Sequence, residues 1–95
     1  MNILHLTLRK KWFDLILSGQ KKEEYREIKE YWNIRFSKKK YDMIKFTNGY
    51  GKDKPSFTIE LKELLRGLGL TQWGAAPKQM VYILRLGNII EKFNL

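Results

Sequence analysis

Three charged side chains that could act together follow a glycine early in the chain. Lys21, Glu24 and Arg26 stand after Gly19 in the pattern Gly-x-Lys-x-x-Glu-x-Arg. In an extended segment, residues two positions apart share a face and lie about 6.5 to 7 Å apart. A carboxylate and a guanidinium so placed on a concave wall can recognise a base edge, a sugar or a phosphate. A buried lysine beside them can act as a base. The alternative is a solvated edge strand whose opposite charges only pair with each other.

Two loops carry further residues that could contact a ligand. Asn48 and Tyr50 alternate with glycines in Asn-Gly-Tyr-Gly, which is a strong turn pattern because glycine adopts positive φ without strain. The backbone N–H groups and the tyrosine ring suit an anion contact and base stacking. The alternative is a hairpin turn with the tyrosine packed over it. Trp73 stands among small residues, where stacking on a base and packing in the core are equally open.

The charge balance favours anionic partners. The 95 residues include 19 Lys or Arg and 10 Asp or Glu, so the net charge is +9. Basic runs occur at Arg9–Lys11 and Lys38–Lys40, close to aromatic residues. Such interleaving suits single-stranded nucleic acid, because phosphates meet cations while bases meet rings. The alternative is a solubilising surface. We expect RNA or a nucleotide as the partner.

The residue content also excludes several kinds of site. Cysteine is absent and His5 is the only histidine, so disulfides, thiolate metal sites and cysteine catalysis are excluded, and we expect no metal and no cofactor. His5 itself is interpreted as a packed or hydrogen-bonded strand residue. No run of about 18 apolar residues is present, and the N-terminus lacks the pattern of a secretory signal. We therefore expect a cytoplasmic protein with no membrane association.

Hydrophobic periodicity predicts a small fold of strands with one or two short helices. The predicted strands are residues 3–8, a segment starting near 21, 41–47, 56–65 and 80–86; the helical segments are 10–18 and 29–36; 67–79 is a loop and 88–95 a tail. Gly19 is expected to end the first helix and Gly87 the last strand. A helix remains the alternative near residue 21, disfavoured because it would bring Glu23 and Glu27 together. These elements indicate one α+β domain over residues 1–95, a curved sheet or partly open barrel.

Motifs spread over nearly the whole chain occur in a characteristic order. They are Leu6-x-Leu8, Trp12-Phe13-Asp14-x-Ile16-x-Ser18-Gly19-x-Lys21-x-x-Glu24-x-Arg26, Tyr31-Trp32, Ile44-x-Phe46-x-Asn48-Gly49-Tyr50-Gly51 and Trp73-Gly74 before the last strand. In this order the chain resembles the ASCH domain family of the PUA-like superfamily, most specifically in the segment after the first helix. The resemblance implies a small β-barrel with flanking helices and a cleft at the positions of Lys21, Glu24 and Arg26. It also implies RNA or nucleotide binding there, in RNA metabolism or its regulation.

The resemblance extends to enzymes only in part. Some small relatives are amidohydrolases that deacetylate N4-acetylcytidine, and they share the lysine at position 21. They have a threonine where this chain has Glu24, and a glutamate in a later loop, whereas residues 67–79 contain no carboxylate. That activity is therefore not carried over. Other relatives look like ribonucleases, which this cluster could serve without metal, with Glu24 as base and Lys21 or Arg26 stabilising a phosphorane.

Three functions are thus open, and we expect the first. The first is an RNA- or nucleotide-binding module in which Lys21 contacts phosphate and Glu24 and Arg26 contact a base or sugar. The other predicted ligand-binding residues of that module are Asn48, Tyr50 and Trp73. The second function is a metal-independent hydrolase in the same cleft, with Lys21 and Glu24 as catalytic residues. The third is a protein-interaction domain whose segment Ile89–Phe93 docks on a partner or on a second copy.

Overall fold

A computed structural model describes residues 1–95 as an α+β fold, which confirms the predicted class. The elements in chain order are β1 Ile3–Leu8, α1 Lys10–Leu17, β2 Glu23–Glu27, α2 Glu30–Lys38, β3 Met43–Asn48, β4 Ser56–Leu68, a 3₁₀ turn Thr71–Trp73 and β5 Met80–Phe93. The strands form one five-stranded sheet in the order β1-β3-β4-β5-β2. Only β1 and β3 pair in parallel, and the sheet does not close into a barrel. The edge strands are therefore β1 and β2.

The core lies on one face of this sheet, beneath α1. Leu4 and Leu6 alternate along β1 with exposed residues, as a half-buried strand requires. From α1, Phe13 and Ile16 are almost fully buried, and the ring centroid of Phe13 lies 4.9 Å from that of Phe57 in β4. Burying such a side chain contributes about 1.5–3 kcal/mol. This packing holds α1 against the sheet and fixes the point at which the chain leaves the helix.

A left-handed glycine turns the chain from α1 into β2. Gly19 has a φ of +85°, and its N–H donates to the carbonyl oxygen of Ile16. The N–H of Lys21 donates to the carbonyl oxygen of Leu15. Glycine takes this conformation without the steric cost that a Cβ would add. The predicted end of the helix at Gly19 is confirmed, and Lys21 is tied to the last turn of α1.

The second helix closes the other side of the core with aromatic side chains. Trp32 of α2 stacks on Phe36 at 5.6 Å between ring centroids, and Phe36 contacts the edge of Tyr82 in β5 at 4.9 Å. The helix continues to Lys38, two residues beyond the predicted segment. Neither helix is long and apolar enough to cross a membrane.

The last strand differs from its prediction. Gly87 was expected to end β5, and the residues after it to form a tail, but β5 continues to Phe93 and pairs with β4 over that length. The register between β4 and β5 shifts around Gly87, where a Cβ would lie 2.7 Å from Oε1 of Glu60. Glycine here allows a close approach at a β-bulge rather than a chain reversal. β4 likewise extends beyond its prediction, to Leu68.

Candidate functional site

The three predicted charges converge. Nζ of Lys21 donates to Oε1 of Glu24 at 2.7 Å, and Nη2 of Arg26 donates to Oε2 of the same carboxylate at 2.8 Å. Each oxygen of Glu24 therefore accepts a hydrogen bond from a different cation. We call Lys21, Glu24 and Arg26 the inner cluster.

The register of β2 against β5 places the inner cluster on the core side of the sheet. Glu24 lies opposite Leu84, which is fully buried, and Arg26 lies opposite Tyr82. The side chains of Lys21, Glu24 and Arg26 are 2%, 8% and 23% exposed. The charges do pair with each other, as the solvated-strand alternative holds, but they do so on the inner face of an edge strand and largely out of water.

Lys21 lies beneath the surface, with its side chain only 2% exposed. Its Nζ is 4.4 Å from the ring centroid of Trp12 and 5.8 Å from that of Tyr25. The chain at Gly74 closes over Trp12, since a Cβ on that glycine would lie 3.0 Å from the indole ring. A desolvated ammonium is stabilised by a facing ring and by its carboxylate. Lys21 is therefore placed to hold Glu24 rather than to contact a phosphate directly.

Tyr25 fastens the chain before the 3₁₀ turn to the outer face of β2. Its hydroxyl donates to Oε1 of Glu23 and accepts the N–H of Leu70. Burial is the main cause that raises the pKa of Tyr25 to about 12; the N–H of Leu70 lowers the pKa, and the neighbouring carboxylate of Glu23 raises it. The phenol is therefore neutral at physiological pH and able to donate that hydrogen bond.

A hollow of about 510 Å³ opens beside the inner cluster, and we call it the edge cleft. It lies between the two edge strands, with Leu8 on β1 and Arg26 on β2. Its polar and aromatic lining is Arg9, Trp12, Glu24, Arg26, Asn48 and Tyr50. The structure thus brings together four of the six predicted ligand-binding residues. No individual role was predicted for Arg9, which belongs to the basic run at the start of α1, or for Trp12, which follows that run.

Arg26 presents an unsatisfied donor in this region. Its Nε is buried and has no hydrogen-bond partner in the protein, whereas its Nη2 is bound to Glu24. The guanidinium carbon also lies 5.6 Å from the ring centroid of Trp32, within the range of a cation–π contact. A buried donor without a partner costs about 1–3 kcal/mol. The side chain as a whole is 23% exposed and lines the edge cleft, so a ligand there would meet Arg26 through atoms other than the buried Nε.

The rim of the edge cleft carries a free aromatic ring. Tyr50 is 86% exposed, so it does not pack over its turn as the structural alternative proposed. Gly49 and Gly51 have φ values of +87° and +110°, which confirms the predicted turn. An exposed ring of this kind offers a face on which a base can stack.

Trp73 belongs to a different hollow, of about 710 Å³, which we call the second hollow. Its lining includes Ile16, Lys21, Lys22, Trp73, Gly87 and Ile89. The structure therefore separates Trp73 from Asn48 and Tyr50, with which it was grouped. Lys21 borders the second hollow as well as binding Glu24.

No group of three or more His, Cys, Asp or Glu residues lies close enough together to hold a metal ion. His5 is exposed on the outer face of β1, where it alternates with buried leucines. The expectation that it packs or forms a hydrogen bond is wrong, because strand periodicity places it opposite the core side.

The comparisons with known proteins do not show a family for this chain. No protein-family model, no curated protein and no solved structure matches this chain. The likeness to the ASCH family rests on the residues quoted above.

Proposed function

We propose that the edge cleft binds a nucleotide, either free or within single-stranded RNA, as the resemblance to the ASCH family implies. The observation that carries this proposal is Arg26. Its guanidinium is fixed by Glu24 and Trp32, and the side chain lines the edge cleft and is 23% exposed. Guanidinium groups held in this way recognise phosphate oxygens and base carbonyls with defined geometry.

The remaining lining supplies the other contacts that a nucleotide needs. Arg9 is exposed at the start of α1 and adds a second positive charge for a phosphate. Tyr50 offers a stacking face, and the amide of Asn48 can both donate to and accept from a base edge. Lys21 acts in this proposal as a positioning residue that holds Glu24, instead of the phosphate contact that the sequence suggested.

Binding is favoured over hydrolysis by the state of Glu24. Both of its oxygens already accept hydrogen bonds from cations at 2.7 and 2.8 Å. A general base must lie within hydrogen-bond reach of the proton that it removes, and this carboxylate is only 8% exposed to a ligand in the cleft. The carboxylate is therefore better placed to orient Arg26 than to abstract a proton, and the same cleft as a metal-independent ribonuclease or amidohydrolase is the weaker proposal.

The test measures binding of a labelled ten-nucleotide single-stranded RNA by fluorescence anisotropy across a salt series. We expect log affinity to fall linearly with log salt, because phosphate contacts release counterions. Arg26→Gln and Arg9→Ala should each weaken binding at least tenfold. Lys39→Ala removes the same charge in the Lys38–Lys40 run, beyond the opposite end of β1, and should change affinity less than twofold.

Two results would contradict the proposal. Equal losses in Arg9→Ala and Lys39→Ala would mean that overall charge, not the edge cleft, drives binding. Absence of binding to RNA and to mononucleotides at low salt would remove nucleotide recognition altogether.

A further inference from the structure

The outer half of β5 has an open edge. β2 pairs with β5 only over Val81–Arg85, followed by a single bond from the N–H of Leu86 to the carbonyl oxygen of Lys22. β5 itself continues to Phe93, and from Ile89 onward its only strand partner is β4. The backbone groups of residues 87–93 that point away from β4 therefore face no strand. Such an edge can accept another extended chain through main-chain hydrogen bonds.

The second hollow opens directly onto this edge. Gly87, Asn88 and Ile89 form one wall of it, and Leu70, which is 44% exposed, and the partly buried Trp73 contribute apolar surface. A strand laid along the open edge would direct alternate side chains toward this apolar floor, because side chains alternate along a strand. The hollow thus supplies what an open edge alone lacks, a pocket that can select side chains.

The rim of the second hollow is basic. Lys22 and Lys62 are exposed and form no ion pair. Arg85 is partly balanced, with Nη1 3.0 Å from Glu63 and Nε 3.9 Å from Glu23. The unbalanced charge on this rim favours an occupant with carboxylates.

The alternatives fit this surface less well. A second copy of the chain would bring together two bodies of net charge +9, whose repulsion opposes association. A nucleic-acid strand would satisfy the lysines but has no peptide backbone to pair with a β edge. An acidic peptide provides carboxylates for the lysines and backbone N–H and C=O groups for the open edge of β5.

We propose that the open edge of β5 and the second hollow together bind an extended acidic peptide segment. The segment adds as a strand beside residues 87–93, with apolar side chains on the floor at Leu70 and Trp73 and carboxylates toward Lys22 and Lys62. This surface is separate from the edge cleft, so the proposal stands or falls independently of nucleotide binding.

The experiment titrates the ¹⁵N-labelled full chain with blocked eight-residue peptides and follows backbone amide signals. The probe alternates Glu and Val. One control peptide carries N-methyl groups on alternate amides, which removes strand pairing without changing charge. A second control replaces every Glu with Lys. We expect saturable shifts at residues 87–93 and at the indole of Trp73, with at least tenfold weaker binding for both controls.

A pair of charge-reversal variants locates the contact on the protein. Lys22→Glu should weaken binding of the probe at least fivefold, and Lys39→Glu, the same charge change elsewhere, less than twofold. The control peptides need no variant, so they decide the matter even if a variant fails to fold.

Four outcomes would overturn the proposal. One is no saturable binding of the probe at millimolar concentration. A second is shifts confined to residues around Arg9 and Arg26, which would place the peptide in the edge cleft. A third is movement of the signals of residues 87–93 with protein concentration alone, which would assign the edge to a second copy. The last is displacement of the probe from these residues by the ten-nucleotide RNA.

Discussion

The two faces of the β2–β5 pair carry similar charge clusters in opposite surroundings. On the inner face, Glu24 joins two cations, and on the outer face Arg85 joins Glu23 and Glu63. The inner carboxylate is 8% exposed, whereas Arg85 and Glu63 are each 56% exposed. Glu23 and Glu24 are adjacent in sequence, and both clusters use carboxylate–cation pairs. The clusters differ in their exposure to water, and this exposure determines how much an ion pair contributes to stability.

Burial makes the inner cluster costly to disrupt and the outer one nearly neutral. Desolvated charges are expensive, and removing one partner leaves the other without compensation. Exposed pairs are screened and lose side-chain entropy on forming, so they contribute little. The inner cluster also keeps Arg26 in one orientation, which a solvated pair does not do. A fixed guanidinium is the property that a binding site needs.

The largest expected effect comes from removing the shared inner carboxylate. Glu24→Gln leaves Lys21 buried without its counter-charge, and we expect the free energy of unfolding to fall by about 3–5 kcal/mol. The matched outer variant, Glu63→Gln, should cost at most about 1 kcal/mol. Urea denaturation followed by circular dichroism measures both. Losses of equal size would show that the two faces do not differ as the exposures indicate.

A pair of double-mutant cycles separates pairing from other effects of each substitution. For Lys21→Met with Glu24→Gln we expect a coupling energy of about 2 kcal/mol, because the two groups contact each other out of water. For Arg85→Met with Glu63→Gln we expect at most about 0.5 kcal/mol. Additive losses in the inner cycle would mean that the contact at 2.7 Å contributes nothing of its own.

The functional difference between the faces is tested by keeping the charge and changing its geometry. Arg26→Lys retains a cation but loses the planar fork and Nε, so we expect affinity for single-stranded RNA to fall about tenfold. Arg85→Lys makes the same exchange on the outer face and should leave affinity within twofold. Anisotropy titrations at one salt concentration suffice. An unchanged affinity in Arg26→Lys would show that RNA binding depends on the charge at this position and not on the geometry of the guanidinium.

The smallest expected effect concerns Tyr25, on the outer face. Its pKa is raised from 10.0 to about 12 in the folded protein, mainly by burial. Above pH 10 the unfolded chain loses this proton while the folded chain keeps it, so the unfolded state binds fewer protons and stability falls as pH rises from 10 to about 12. In Tyr25→Phe this part of the decline should disappear. Urea midpoints at pH 9, 10 and 11 for both proteins measure it, and parallel declines would contradict the assignment.

The local sequence pattern was enough to predict most of the secondary structure between Ile3 and Glu27. The alternation of β1 and the shared face of Glu24 and Arg26 follow from a period of 2 residues. The end of α1 at Gly19 follows from the ability of glycine to adopt positive φ. These features depend on neighbours a few positions apart, so a single sequence contains them. The predicted turn at Asn48 is of the same kind.

Features that depend on distant segments were mispredicted or missed. Gly87 reads as a strand end, yet β5 continues beyond it because residues 89–93 pair with β4, and Glu60 of that strand leaves no room for a Cβ at position 87. Trp73 was grouped with Tyr50 on residue type, but the chain path takes it to the second hollow. Arg9 received no individual role, since only the curvature of the sheet brings it near Arg26.

The sequence by itself determined the composition of the cluster, its charges and the face on which Glu24 and Arg26 lie, because strand periodicity is a local property. Only the tertiary structure decided that this face is the buried one, that Lys21 lies under Trp12, and that Nε of Arg26 is left without a partner. The physical reason is that burial is set by what packs against a residue. For β2 those neighbours come from α1 and β5, which lie on either side of it in the chain and in one case more than fifty residues away.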